Sequence, residues 1–235
     1  MRGLFALTML SLLAAAPAYS GTKAVYEQAE NKGSLTVEIA DNGDVRVGPA
    51  DQPMYILLIG DASYIVTTKD GKTTVARVAD VAAAFDKVMP PIFGKIFGAA
   101  AKGTPKGPPP MEKIGPQTVN GRTGTAYKFK GGNPKEESPV LVLSDDPALQ
   151  PVGRAMERFT EASVLLLAPL FGKGIESMID DMRAVFAMGT PLRGGDGMTL
   201  KSVETADVPA SRVALPGKPQ TVDEIVQAIK VTPTN

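Results

Sequence analysis

The chain has 235 residues, with 25 Lys and Arg against 25 Asp and Glu, and it contains no His and no Cys. The missing Cys excludes disulfides, thiolate nucleophiles, iron–sulfur clusters, cysteine zinc sites and lipobox acylation, while the missing His excludes a Ser-His-Asp triad, a haem histidine, an HExxH zinc site and an imidazole proton shuttle. Zero net charge with scattered basic residues offers no electrostatic draw for nucleic acid, and 43% apolar residues suffice for the core of one domain.

Met1-Arg2 place a positive charge ahead of an apolar run from Leu4 to Ala16, broken only by Thr8 and Ser11. Ala16-Pro17-Ala18 and Ala18-Tyr19-Ser20 then offer small-residue cleavage patterns, the layout of a secretory signal peptide. At 13 residues the run falls short of the ~20 that span a bilayer. Residues 1–20 are therefore read as a cleaved signal and 21–235 as one exported domain with no stable membrane insertion. Removing Arg2 leaves 24 basic and 25 acidic residues, a net charge of −1.

From Thr22 to Val78 the pattern is that of about six antiparallel strands in a meander. Leu35, Val37 and Ile39 alternate with polar neighbours, and Asp41-Asn42-Gly43-Asp44 predicts a type I′ hairpin into Val45 and Val47. Met54 to Ile59 is continuously apolar and reads as a central strand, with turns at Gly60-Asp61 and Asp70-Gly71 beyond it. Asp80 to Ala101 switches to helical spacing with a wide apolar face, interrupted by Pro90-Pro91. Two short helices bent near Met89–Pro91 are expected within an insertion at about 79–101. Residues 102–111 are rich in Pro and Gly and read as an exposed loop.

Strands resume from Glu112 to Val119, turn at Asn120-Gly121, return over Gly124 to Lys130, and are followed by a short strand from Pro139 to Leu143. Asp145-Asp146-Pro147 starts a second helical insertion, at about 147–188. Its first helix carries Val152, Met156, Phe159 and Leu166, and is apolar all round from Val164 to Phe171. A second helix, about Gly174 to Met188, has the stripe Ile175, Met178, Ile179, Met182, Val185 and Phe186, with Gly189 placed to cap it. Leu200 to Ala206 and Ser211 to Leu215 read as the last strands, and Thr221 to Glu224 as a capping box opening a C-terminal helix. The class is α+β, because helical insertions interrupt runs of strands without forming βαβ units.

This order of elements resembles the LolA/LolB-like superfamily of periplasmic half-barrels. The phrases that carry the resemblance are Tyr64-Ile-Val-Thr-Thr-Lys-Asp-Gly71, Thr118-Val-Asn-Gly-Arg122 before Tyr127, Gly189-Thr-Pro-Leu-Arg193, and Leu215-Pro-Gly217. The resemblance implies a strongly curved, unclosed antiparallel barrel whose concave face is covered by the helical insertions. It also implies a periplasmic location and a hydrophobic ligand held between sheet and helical lid. The chain departs from the lipoprotein carriers in lacking Trp and in its larger Pro-rich loop and paired helices. It reads as a branch distinct from the carriers proper, with no ligand-gating arginine assigned.

Other motifs resolve to plain structure. Gly71-Lys72-Thr73 would need a glycine where Val66 stands and a helix to follow, so it is a hairpin turn and not a phosphate loop. Glu176, Asp180 and Asp181 lie on a solvated helix face, and Asp41 to Asp44 lacks calcium-loop spacing. No GxSxG phrase occurs. No catalytic residue, metal or cofactor is assigned, and no nucleic-acid partner. The informative feature is the excess of apolar side chains on the helices, which Met makes adaptable. Phe85, Met89, Phe93, Phe97, Leu166, Leu170, Phe171, Met178 and Met182 are the candidate ligand contacts. The expected function is non-catalytic binding of a lipid, acyl chain or other hydrophobic molecule. The alternative is a protein-interaction or envelope-stress-sensing module, with an envelope protein as partner and a cleft filled by its own side chains.

Overall fold

The computed structural model describes residues 21–28, 33–49, 52–89, 110–130, 140–172, 174–194 and 197–231. The N-terminal strands are β1 (Gly21–Gln28), β2 (Ser34–Ile39), β3 (Val45–Pro49), β4 (Met54–Ile59), β5 (Ala62–Lys69) and β6 (Lys72–Arg77). Helix α1 (Val78–Val88) precedes β7 (Met111–Val119), β8 (Arg122–Phe129) and β9 (Val140–Ser144). A 3-10 turn (Pro147–Leu149) leads into α2 (Gln150–Leu165), α3 (Ala168–Phe171) and α4 (Gly174–Phe186). The chain closes with β10 (Thr190–Arg193), β11 (Met198–Ala206), α5 (Ala210–Val213) and α6 (Val222–Val231).

All strands join one antiparallel sheet of eleven, in the order β6-β5-β4-β3-β2-β1-β11-β10-β9-β8-β7. Its end strands β6 and β7 do not pair, so the sheet is unclosed, and the first and last strands meet in its middle. The α+β class and the open antiparallel sheet agree with the sequence reading.

The period-2 pattern sorts side chains onto two faces. Ile65, Ile56, Val47, Val37 and Ala24 oppose one another across five strands and form a row on the inner face, the one that meets α2. Tyr26 and Leu200 form a neighbouring pair in the same core, and the Tyr26 hydroxyl donates to the Pro191 carbonyl at 3.0 Å. Burial pushes the Tyr26 phenol well above its ordinary pKa, so it remains a neutral donor. The unbroken apolar run of β4 has a simple cause: Ile56 and Leu58 face inward, while Leu57 is buried on the outer face beside Val66, Val75 and Leu215.

One seam in the sheet is narrow. β10 and β11 share a single register pair, Arg193 with Thr199, reinforced by the Gly194 amide on the Met198 carbonyl at 2.7 Å. Beyond it the β7–β8 hairpin reaches β11, Asn120 Nδ2 donating to the Leu200 carbonyl at 2.8 Å. Asn120 and Gly121 hold φ of +48° and +79°, the paired positive values a type I′ turn requires. Asp70-Gly71 does the same. Asn42-Gly43 does not, contrary to expectation: only Gly43 has positive φ, and residues 40–44 form a longer loop closed by the Ala40 amide on the Asp44 carbonyl. Asp44 is spent on other bonds, accepting from Asn42 Nδ2 and from the Gly60 amide of the adjacent turn.

Helix α2 bridges the seam, with Val152, Ala155, Met156 and Ala162 buried against residues of both sheet halves, including Leu192 of β10. Gly153 permits the close approach, since a Cβ there would stand 2.4 Å from Thr190 Oγ1. Asp146 caps the preceding 3-10 turn, its carboxylate accepting the Ala148 amide at 2.9 Å. Helix α2 stops before Leu166 because Pro169 lacks an amide hydrogen and would clash with the Leu165 carbonyl, so α3 forms separately. Helix α1 ends likewise: Met89 precedes Pro90 and is extended, with ψ 129°. The expected second helix beyond Pro91, and loop residues 102–109, lie outside the described residues; Met111, assigned to that loop, instead opens β7.

Residues Ser211 to Leu215, expected as a strand, begin in the helical turn α5. Pro209 breaks the extended chain, and the turn lets Val213 enter a pocket with Ala40 and Val208 while Arg212 faces outward. From there the tail crosses the outer face, and the Gln220 amide donates to the Val75 carbonyl of edge strand β6. Helix α6 then packs Ile225 and Val226 against Ala84 of α1. Its capping box is formed as expected: the Glu224 carboxylate accepts the Thr221 amide at 2.7 Å and the Glu224 amide donates to Thr221 Oγ1 at 3.3 Å.

Two predictions follow from this packing. Leu192→Ala, at a fully buried seam position, is expected to lower unfolding free energy by about 2–5 kcal/mol in urea titration, whereas Ile114→Ser, at a side chain 58% exposed, changes it by less than about 0.5 kcal/mol. The hydrogen bonds from Thr221 hold the Glu224 carboxyl below its ordinary pKa. A depressed folded-state pKa contributes stability that is present above the unfolded value and is lost as pH falls through the folded one. Amide-exchange protection in α6, taken relative to the intrinsic exchange rate at each pH, should therefore fall on acidification through the carboxylate range, and Glu224→Gln should remove that contribution to the fall.

Candidate functional site

Seven of the nine candidate ligand contacts are among the described residues; Phe93 and Phe97 lie outside them. Phe85 and Met89 stand on and just past α1, Leu166 follows α2, Leu170 and Phe171 are on α3, and Met178 and Met182 are on α4. The four helices form a contiguous layer: α1 touches α2 and α3, and α4 touches α2 and α3. The candidates thus share one helical layer, yet they divide by burial. Leu166 packs into the sheet core, Met89, Leu170, Phe171 and Met182 are half-buried, and Phe85 and Met178 are each 39% exposed.

Local sequence explains the division. On α1, Val81 and Val88 turn toward α6 and Ala84 is buried against it, which leaves Phe85 on the flank. On α4, Ile175 takes the buried position and Met178 falls toward water. Leu167, which the sequence reading left out, is 40% exposed because it sits in the turn that Pro169 forces between α2 and α3. An apolar residue beside a helix-breaking proline was the available signal. Arg183 of α4 pairs with Glu161 of α2 and lies 3.8 Å from Asp180, tying the two helices together. The Glu161 hydrogen bond and charge hold its guanidinium above the ordinary pKa.

Three concavities stand out among the described residues, and none is lined by the seven described candidates. The largest, about 360 Å3, lies between the end of β9, the start of α2 and the end of α4, bordered by Asp145, Gln150, Arg154, Glu157 and Met188. Its floor is fixed by Thr190, whose hydroxyl donates to the Leu149 carbonyl at 3.0 Å. A second, about 270 Å3, opens where β1 and β3 end and β2 and β11 begin, between Gln28, Leu35, Gln52 and Met198. Leu35 and Met198 also pack on the core, so this mouth leads toward the inner face. The third, about 90 Å3, is on the outer face among Lys23, Thr36, Glu38, Arg46 and Arg212. Glu176 and Asp181 remain on the α4 surface beside Asp180, without a facing carboxylate pair to flank a substrate. Compared with known proteins, the chain matches no family model, no curated protein and no solved structure.

Proposed function

We propose that this chain is an exported, non-catalytic binding protein of the LolA/LolB-like half-barrel type, acting in the periplasm on a lipid, acyl chain or other hydrophobic ligand. The observation that carries this reading is the apolar surface left on the helical layer, where Phe85, Leu167 and Met178 meet water on three neighbouring segments. In this reading the helices lie over the concave face of the open sheet and act as its lid. One antiparallel sheet built of two meanders that join at β1 and β11, with helices after β6 and after β9, supports the fold assignment.

The space between α2 and the sheet is occupied by Val152, Met156, Tyr26 and Leu192, so the ligand is assigned to the flank formed by α1, α3 and α4. Burial of apolar area there supplies about 25 cal/mol per Å2, with few polar contacts to orient the ligand. The packed α2–sheet interior favours a second reading, a self-packed interaction module whose exposed helical side chains meet an envelope protein.

Native mass spectrometry of protein purified from periplasm without detergent separates the two, followed by lipid extraction. The expected result is a stoichiometric added mass that resolves into lipid or acyl species. Phe85→Asp, at a position 39% exposed, should reduce that mass at least tenfold while the circular dichroism spectrum is unchanged. A clean apo mass under gentle conditions would refute the ligand reading in favour of the interaction module.

A further inference from the structure

The outer face of the sheet presents a polar cluster that the helical side does not use. Tyr64, Leu57, Arg46, Glu38 and Lys23 oppose one another across β5 to β1, in the row that points away from α2. Glu38 is almost enclosed and accepts from two guanidiniums, Arg46 Nη1 at 3.3 Å and Arg212 Nε at 2.9 Å. Arg212 arrives from α5, so this carboxylate clamps the C-terminal tail to the sheet.

The clamp does not consume the cations. Arg46 Nε is buried and has no hydrogen-bond partner, although buried N–H groups are nearly always satisfied. Its guanidinium is fixed from below by the Tyr55 ring, 4.0 Å from the centroid. Gly48 makes that stacking possible, since a Cβ there would meet Tyr55 Cβ at 2.7 Å. The Lys23 side chain, opposite Glu38 on one side and Glu204 on the other, makes no hydrogen bond or ion pair among the described residues. These groups surround the 90 Å3 cavity, several times the ~10–15 Å3 that one water occupies. Three cations and the Thr36 hydroxyl line it against one carboxylate that is already doubly paired.

We infer that this cavity is a binding site for a compact phosphate-class oxyanion, held between the sheet and the C-terminal tail. Arg46 donates from the floor in a fixed orientation, Lys23 supplies a mobile charge from β1, and Arg212 closes the site from the tail. Such charge-assisted bonds are the strong kind, and arginine matches an oxyanion with several donors at once. Two sources carry this chemistry, free inorganic phosphate and the phosphate of a lipid headgroup. The site lies on the face opposite the hydrophobic surface and does not depend on that reading.

The test uses the mature protein at neutral pH and constant ionic strength, with chloride as the control anion. Inorganic phosphate is expected to bind in calorimetric titration and to raise Tm at millimolar concentration, and Lys23→Gln to weaken that binding about tenfold. Because the Lys23 side chain makes no hydrogen bond or ion pair among the described residues, the variant should keep its Tm in phosphate-free buffer. A parallel arm measures flotation with phosphatidylglycerol vesicles against phosphatidylcholine vesicles. Phosphate binding identifies the free anion, and Lys23-dependent flotation without phosphate binding identifies the headgroup. Absence of both, or binding that Lys23→Gln leaves unchanged, overturns the site and leaves a structural clamp only.

Discussion

The fold depends on one helix crossing one seam. β10 and β11 share a single register pair, so the ladder contributes little where the two parts of the sheet join. Helix α2 spans that gap with Val152, Ala155 and Met156, and Gly153 brings its backbone against Thr190 of β10. Hydrophobic burial substitutes for backbone pairing at this point, and it is non-directional, so it does not need the two strands to run in register. The Asn120 side chain supplies a directional element by satisfying a β11 carbonyl that β10 is too short to reach.

An open sheet must also protect two faces and two edges. The inner face is covered by α2, while the tail from Val208 to Leu215 covers part of the outer face. At the β6 edge the Gln220 amide occupies the Val75 carbonyl. The β7 edge is blunted by its sequence, with Pro116 unable to donate, a register shift between Lys113 and Gly115, and flanking charges at Glu112 and Lys113. The tail therefore serves as cover, edge guard and, through α6, a support for α1.

Much of this was legible in the residues. Alternation in Leu35, Val37 and Ile39 placed a strand with one buried face, and Thr221 with Glu224 marked a helix start by reciprocal bonds that are purely local. Asn120-Gly121 and Asn42-Gly43 carry the same turn signal, yet only the first forms a type I′ turn, because Asp44 in the second loop is engaged by the neighbouring Gly60 turn. Ser211 to Leu215 shows the same limit: its alternation suits a strand, but the chain turns helical after Pro209 and this segment joins no strand of the sheet. Of the candidate contacts, Phe85, Leu170, Phe171, Met178 and Met182 stand on helices and Met89 and Leu166 just past helix ends, while their exposure is set by partners distant in sequence, such as α6 taking the valines of α1. The outer-face cluster was not legible at all, since Lys23, Arg46 and Arg212 are scattered singly and converge only through strand register.

The pairing of β1 with β11 in the middle of the sheet has a consequence for how the chain is built. Strands at opposite ends of the sequence share the longest ladder on β1, and Tyr26 is buried beside Leu200. Among the described strands β1 must wait for β11 before its second edge is covered, a non-local closure of the kind that slows folding. A chain stopped before Met198 would leave β1 as a free edge carrying buried-type residues, a ready template for association with another chain. The two parts of the sheet thus stay separate until Met198 to Ala206 have been synthesised, and they join in one late step that covers β1 and buries Tyr26 together.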